Sequence, residues 1–139
     1  FASECLVSFL NEKWRQLNIR KTGPLVIITT LPGEAYNLGT LMCALITTAT
    51  NSKIVYLGSN IPAEEIIDAS EKYRPKLITI SISHKFDLVT SEKALVNLRN
   101  NINKEVKIIT GGKGSPCKID GVSYIHTFKK YYDFLIKEI

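Results

Sequence analysis

Short β-branched apolar runs alternate with longer segments of helical periodicity, and this alternation constrains the fold more than any other feature. The runs are PLVIIT, KIVYL, KLITISIS, VKIIT and a weaker VSYIH. PLVIIT is apolar at both odd and even positions, which predicts a strand buried on both faces. Strands separated by helices form right-handed βαβ units. The sequence therefore predicts a flavodoxin-like (Rossmann-like) five-stranded parallel sheet of order 2-1-3-4-5, with helices on both faces.

An extra amphipathic helix precedes the first strand. In ASECLVSFLNEKWRQL the apolar residues recur in steps of three and four, and IRKTG then ends the pattern. We divide the chain into an N-terminal helix with its linker, residues 1–22, and an α/β domain, residues 23–139. Asn37 and Pro62 stand where later helices are expected to begin, with Pro62 at a first helical position, and either Asp87 or Thr90 lies near the start of another.

Composition indicates one ordinary globular domain. The 139 residues are 45% hydrophobic and 22% charged, and no apolar run reaches the length of a membrane span. Three cysteines at unrelated spacings predict reduced thiols and a cytoplasmic protein. The net charge of +5 is spread along the chain, so DNA contact is expected only through a domain outside this chain. A homo-oligomer remains open.

Several chemistries that this fold supports lack their motifs here. A phospho-receiver needs aspartates at the ends of strands 1 and 3, where the chain has Thr29-Thr30 and Ser81-Ile82-Ser83. The phosphate loop GxxxxGK[ST], the dinucleotide motif GxGxxG and the hydrolase motif GxSxG are absent. No Cys/His/Asp cluster has zinc spacing. In the predicted strand order, ligands bind near the ends of strands 1 and 3, beside TTLPGEAYNLG, SHKFD and GGKGSP.

Three motifs at this edge together resemble one family. They are PGEAYNLG, the serine in LITISIS and the paired glycines in IITGGKG. The set is similar to the cobalamin-binding domain shared by methionine synthase and methylmalonyl-CoA mutase, from about Leu25 to Ile139. TLPGE…LGTLM and IVYLGSNIPAEEII resemble most the sensor domain of MerR-type light-responsive transcriptional regulators. The first helix resembles the last helix of the bundle that precedes this domain in those proteins.

The resemblance implies a role for each matching residue. The family loop is Asp/Glu-x-His-x-x-Gly, whose histidine binds cobalt while the cofactor's nucleotide tail lies in a groove. Glu34 would be the acid that orients the ligand, Gly39 would let the tail pass, Ser81 would meet the tail base, and paired glycines would leave it room. The predicted cofactor-binding residues are Glu34, Tyr36, Asn37, Gly39, Ser81, Ser83, Gly111 and Gly112. No catalytic residue and no metal ligand is assigned. If a histidine replaces the missing axial ligand, His84 is the candidate.

Tyr36 occupies the histidine position and leaves three interpretations open. A phenol with a pKa near ~10 is a poor ligand at neutral pH. Tyr36 would then fill a site that has lost its cofactor, accompany cobalamin bound by its tail alone, or ligate haem iron as tyrosinate. The main prediction is a non-enzymatic sensor domain of a transcriptional regulator with weakened, altered or lost cobalamin binding. The alternatives are a corrinoid carrier of a methyltransferase system, a ligand-free interaction module and a haem sensor.

Overall fold

Five parallel strands form one sheet in the order β2-β1-β3-β4-β5, as the alternating pattern predicts. The computed structural model describes residues 2–34 and 38–139. The strands are β1 (Leu25–Thr30), β2 (Lys53–Gly58), β3 (Leu77–Ser81), β4 (Lys107–Gly111) and β5 (Val122–Ile125). The helices are α1 (Ala2–Asn18), α2 (Leu38–Thr47), α3 (Ala63–Tyr73), α4 (Leu88–Asn101) and α5 (Phe128–Glu138). The flavodoxin-like prediction is confirmed in strand number, direction and order.

Helices cover both faces of the sheet, because successive strand residues point to opposite sides. On one side, Val26 and Ile28 of β1 pack with α1, α2 and α5. On the other side, Ile27 of β1 packs with α3 and α4. All three β1 side chains are fully buried. The apolar runs that pointed to buried strands are therefore explained by two hydrophobic cores, one on each face.

The extra helix α1 contributes to the first of these cores. Leu10 and Trp14 are each 5% exposed and lie in the same cluster as residues of α2. The Trp14 ring is 5.1 Å from the ring of Tyr56 on β2. Asn18 also ties the end of α1 to β2, because its side chain accepts from the Ile54 amide at 2.8 Å and donates to the Ile54 carbonyl at 3.1 Å. The helix thus packs directly on the α/β domain.

The helix starts agree with the sequence signals to within a residue. Asp87 caps α4, since its carboxylate accepts from the Thr90 amide at 2.8 Å. Pro62 is the residue before α3, not its first helical residue, which is a small correction. Its fixed φ suits either position, so the sequence signal could not separate them. The predicted cap Asn37 lies outside the described residues.

Candidate functional site

The carboxyl ends of four strands meet in one row at the edge of the sheet. Thr30 pairs with Ser81, Ser81 with Gly111, and Gly111 with Ile125. Parallel pairing brings these positions together although they are far apart in sequence. Ser81 and Gly111, which the sequence proposed as members of one site, are therefore direct neighbours.

A cavity of about 510 Å³ opens beside this row, between the sheet and helices α2 and α5. Its volume is in the range that accommodates small molecules and cofactors, roughly 300–1,000 Å³. The residues that line it come from α2, from the ends of β3, β4 and β5, and from the start of α5. They include Leu38, Gly39, Met42, Cys43, Thr79, Ser81, Ser83, His84, Ile109, Gly111, Gly112, Lys113, Ile125, His126, Thr127, Phe128 and Tyr131. Five of the eight predicted binding residues are in this lining.

Gly39 and Ser81 are in contact with each other in one wall of the cavity. A Cβ on Gly39 would overlap the Ser81 hydroxyl and lie 3.4 Å from the Ser81 Cβ. Glycine at this position lets α2 begin close above the end of β3. Within the described residues, the Ser81 hydroxyl forms no hydrogen bond. The hydroxyl therefore remains able to donate to, or accept from, a ligand in the cavity.

Glu34 ties the loop after β1 to the end of β3. Its side chain is buried, and one carboxylate oxygen accepts from the Ser83 amide at 2.9 Å. Its carbonyl oxygen accepts from the Asn60 amide at 2.8 Å, and Asn60 in turn accepts from the Gly33 amide. These three hydrogen bonds join the loop after β1 to the segments that follow β2 and β3 and so fix its geometry. The Glu34 carboxylate thus holds the loop after β1 against the segment that follows β3.

The two glycines after β4 have different structural reasons. Gly112 has φ +101°, and a Cβ there would overlap the Ile82 carbonyl oxygen. Gly111 has no such conformation, and its Cβ would lie 3.2 Å from the Ile125 carbonyl oxygen. Room for a ligand therefore does not by itself explain Gly112, because the backbone of Ile82, just after β3, already excludes a side chain there. Gly114, to which the sequence assigned no role, resembles Gly112 in that a Cβ there would overlap a backbone carbonyl oxygen, that of Ser83.

The deep end of the cavity is formed by Cys43 and Tyr131. Burial raises the pKa of the Cys43 thiol to about 12, so the thiol is protonated at neutral pH. Burial also raises the pKa of Tyr131, while its hydrogen bonds to Thr47 and Thr79 act in the opposite direction. Both groups are neutral in the folded protein, and this end of the cavity carries no charge.

The mouth of the cavity is basic. His84, Lys113 and His126 are in its lining, and the described lining residues include no Asp or Glu. The His126 ring packs edge-on against Tyr124, with ring centroids 4.6 Å apart. His126 reaches this lining because the carboxyl end of β5 lies at the same edge of the sheet as the ends of β3 and β4. Position at a strand's carboxyl end was the signal that could have identified it.

Two predicted residues, Tyr36 and Asn37, lie outside the described residues. Among residues 2–34 and 38–139, no cluster of three or more His, Cys, Asp or Glu is arranged to hold a metal ion. His84 accordingly has no set of co-ligands in that part of the chain. In the same part, none of the helices combines the length and the hydrophobicity needed to cross a membrane.

Comparison with known proteins gives this geometry a family context. The model of the B12 binding domain family matches residues 24–117, more than half of the chain. No match was found among the curated proteins compared with it.

Solved structures share the fold at 16% sequence identity. The monomethylamine corrinoid protein of Methanosarcina barkeri has a TM-score of 0.73 over 91% of this chain and 63% of its own. The methanol:cobalamin methyltransferase complex MtaBC of the same organism has a TM-score of 0.68, over 86% of this chain and 48% of that chain. A cobalamin-binding protein of Desulfitobacterium hafniense has a TM-score of 0.63, over 84% and 59%. The chain thus spans less than two thirds of each of these proteins.

Proposed function

Because the chain belongs to the B12-binding domain family, we propose that it holds a cobalamin-type corrinoid by its nucleotide tail. The tail would enter the cavity between α2, α5 and the ends of β3 and β4. The observation that carries this proposal is the cavity itself, which lies between Gly39, Ser81 and Gly111 at the carboxyl edge of the sheet. The resemblance in sequence predicted that these same residues contact the nucleotide tail.

The chemistry of the lining suits such a tail. A nucleotide tail has an apolar aromatic base at one end and an anionic phosphodiester. The inner walls of the cavity are apolar, with Met42, Ile109 and Ile125, and its mouth carries Lys113. The Ser81 hydroxyl is placed to bond a ring nitrogen of the base. A neutral interior with a basic entrance matches a ligand of this polarity.

Tyr36 sets how the corrinoid would be held. A phenol does not replace a neutral imidazole as a cobalt ligand near pH 7, because it must first lose a proton. The Glu34 carboxylate, which would orient a ligating histidine, accepts a hydrogen bond from the Ser83 amide. We therefore propose binding through the tail, without an imidazole ligand from this loop. The bound corrinoid would supply a cobalt centre for alkyl groups, and the domain itself would have no catalytic activity.

Two cellular roles are compatible with this binding. A corrinoid carrier that serves a methyltransferase is supported by the fold shared with the two M. barkeri proteins. A sensor domain of a transcriptional regulator is favoured by a different observation, the loop TLPGEAYNLGTLM. A carrier requires a tunable axial ligand, whereas a regulator requires only that binding change its shape or assembly. Single-turnover methyl transfer from the loaded domain would establish the carrier, and a ligand-dependent change in oligomeric state would establish the regulator.

The binding proposal is tested by visible spectra. Wild-type protein is titrated with methylcobalamin and adenosylcobalamin, with haemin as a separate ligand, beside Tyr36→His and Ser81→Leu. We expect wild type to bind cobalamin without a histidine-ligand spectrum, and Tyr36→His to acquire that spectrum. Ser81→Leu should lose binding because the larger side chain enters the cavity beside Gly39. Ser123→Leu, at an exposed position of β5, is the matched control.

The outcomes separate the alternatives. If neither wild type nor Tyr36→His binds cobalamin, the tail-binding proposal is wrong. If Ser81→Leu binds as well as wild type, the corrinoid lies elsewhere. A haem spectrum with wild-type protein and no cobalamin binding would establish the haem sensor, which the match to the B12-binding family does not favour.

A further inference from the structure

Two hydroxyl groups at the closed end of the cavity, those of Thr79 and Tyr131, are hydrogen-bonded to each other, and that of Tyr131 also to Thr47, which is not in the lining. The Thr47 hydroxyl donates to the Cys43 carbonyl oxygen at 2.7 Å. The Tyr131 hydroxyl lies 2.9 Å from the Thr47 hydroxyl and 3.1 Å from the Thr79 hydroxyl. Thr47, Thr79 and Tyr131 are buried. Buried hydroxyl groups in this arrangement satisfy one another and need no water.

The direction of donation in this chain is fixed at one end. A carbonyl oxygen only accepts, so the single proton of Thr47 is committed to Cys43. Thr47 must then accept the proton of Tyr131, and Tyr131 must accept the proton of Thr79. The order is Thr79 to Tyr131 to Thr47 to the Cys43 carbonyl. Every hydroxyl proton in this chain is therefore already used, and none is left to donate to a ligand.

The walls around this end add little polarity. Met42, Ile109 and Ile125 present apolar side chains to the cavity. The Cys43 thiol is protonated and is only a weak donor. The Ser81 hydroxyl is the exception, and it lies beside Gly39 near the start of α2. A ligand that reaches the closed end thus meets apolar atoms and hydroxyl groups without a free proton.

We propose that this cavity selects corrinoids whose tail ends in an apolar benzimidazole base over corrinoids whose tail ends in adenine. The inference rests on the proposed tail binding. Both bases contain a five-membered ring with a nitrogen that Ser81 could bond. They differ in the six-membered ring, which is hydrocarbon in dimethylbenzimidazole and carries two acceptor nitrogens and an amine in adenine.

The difference has a physical cost for adenine only. Its ring nitrogens would leave water for an end of the cavity where the side chains offer no donor stronger than the Cys43 thiol, and a buried acceptor without a good partner is unfavourable. The hydrocarbon ring and methyl groups of dimethylbenzimidazole would instead pack against Met42 and Ile109. For one unsatisfied acceptor, we expect cobalamin to bind roughly ten- to a hundredfold more tightly than its adenine analogue.

The test compares the two corrinoids on the same protein by isothermal titration calorimetry. Wild type should show the affinity ratio above. Tyr131→Phe removes the acceptor of the Thr79 proton, which becomes free to donate into the cavity. We expect the ratio to fall at least ~3-fold in this variant, because one adenine nitrogen gains a donor. The control is Tyr132→Phe, which removes the hydroxyl of the next residue of α5, a partly exposed tyrosine. This variant should keep the wild-type ratio.

The results distinguish this inference from the proposal on which it rests. Binding of cobalamin and its adenine analogue with equal affinity would overturn base selection and leave tail binding intact. Binding of neither would overturn both. The wild-type ratio decides the matter even if Tyr131→Phe does not fold, and far-UV circular dichroism establishes whether it does. If the affinity ratio of cobalamin to its adenine analogue is the same in Tyr131→Phe, Tyr132→Phe and wild type, the hydroxyl chain does not cause the selection.

Discussion

Substituting alanine for each of the two adjacent glycines after β4 separates backbone packing from ligand accommodation. Sequence reasoning gave Gly111 and Gly112 one shared purpose, room for a tail. The structure gives Gly112 a purpose of its own, because its φ is +101° and its missing Cβ faces the Ile82 carbonyl. Gly112→Ala should therefore destabilise the fold without any ligand, whereas Gly111→Ala should not.

The expected magnitude follows from the contacts. Forcing alanine into the left-handed region costs about 1–3 kcal/mol. To relieve the overlap, Ile82 must move, and this weakens two backbone hydrogen bonds. In one, the Ile82 carbonyl accepts from the Gly114 amide at 3.2 Å; in the other, the Ile82 amide donates to the Gly111 carbonyl at 2.9 Å. At about 0.5–1.5 kcal/mol for each hydrogen bond, the total loss is roughly 2–6 kcal/mol.

Gly111→Ala has two small and opposing effects. A Cβ 3.2 Å from the Ile125 carbonyl requires a slight shift of β5. Alanine also restricts the unfolded chain, which stabilises a protein by about 0.4–1 kcal/mol where the backbone tolerates it. The free energy of unfolding should therefore remain within about 1 kcal/mol of wild type.

Urea unfolding measures both variants. Trp14 is the single tryptophan of the chain and is buried, so its fluorescence reports loss of the core, and far-UV circular dichroism provides a second probe. Equal destabilisation by the two substitutions would refute the distinction between the glycines. So would a Gly112→Ala protein as stable as wild type, since the overlap with Ile82 would then not restrict the native backbone.

Two further predictions concern groups buried at the site. Glu34→Ala leaves the Ser83 amide without its acceptor, so the free energy of unfolding should fall by about 1–3 kcal/mol. The control Glu71→Ala, at an exposed position, should change it little. A loss within ~0.5 kcal/mol for Glu34→Ala would contradict the role of this bond. The raised pKa of Cys43 means that the folded protein keeps a proton that the unfolded chain releases above its ordinary pKa of 9.0. The contribution of this thiol to stability should be constant below that pH and should fall by up to about 1.4 kcal/mol per pH unit as pH rises toward 12. Measured by urea unfolding at several pH values, Cys43→Ala should reduce this decline, whereas the control Cys117→Ala should not. If the free energy of unfolding falls equally steeply with pH in both variants, the assignment to Cys43 is wrong.

The sequence by itself determined the architecture of this protein. Apolar strands with helices between them admit few arrangements, because crossovers are right-handed and strands buried on both faces need helices on both sides. The strand order and the meeting of Ser81 and Gly111 at one edge followed from those rules. The family also followed from the sequence, since three loops at that edge share one pattern. All of this information is local periodicity and turn chemistry, which a sequence displays directly.

Only the tertiary structure decided what those residues contact. That Glu34 bonds the Ser83 amide, and that Gly112 faces Ile82 while Gly39 faces Ser81, depends on distances across the sheet edge. The lining residues from α5, above all Tyr131, carry no motif because a buried aromatic residue in an amphipathic helix resembles any other core residue.

The hydroxyl chain at the closed end of the cavity shows the same limit. It joins residues from α2, β3 and α5 that are far apart in sequence, and its direction of donation is set by one backbone carbonyl. Side-chain hydrogen bonds between distant segments form only after packing has brought those segments together. For this reason, the sequence located the cavity and the structure determined its polarity.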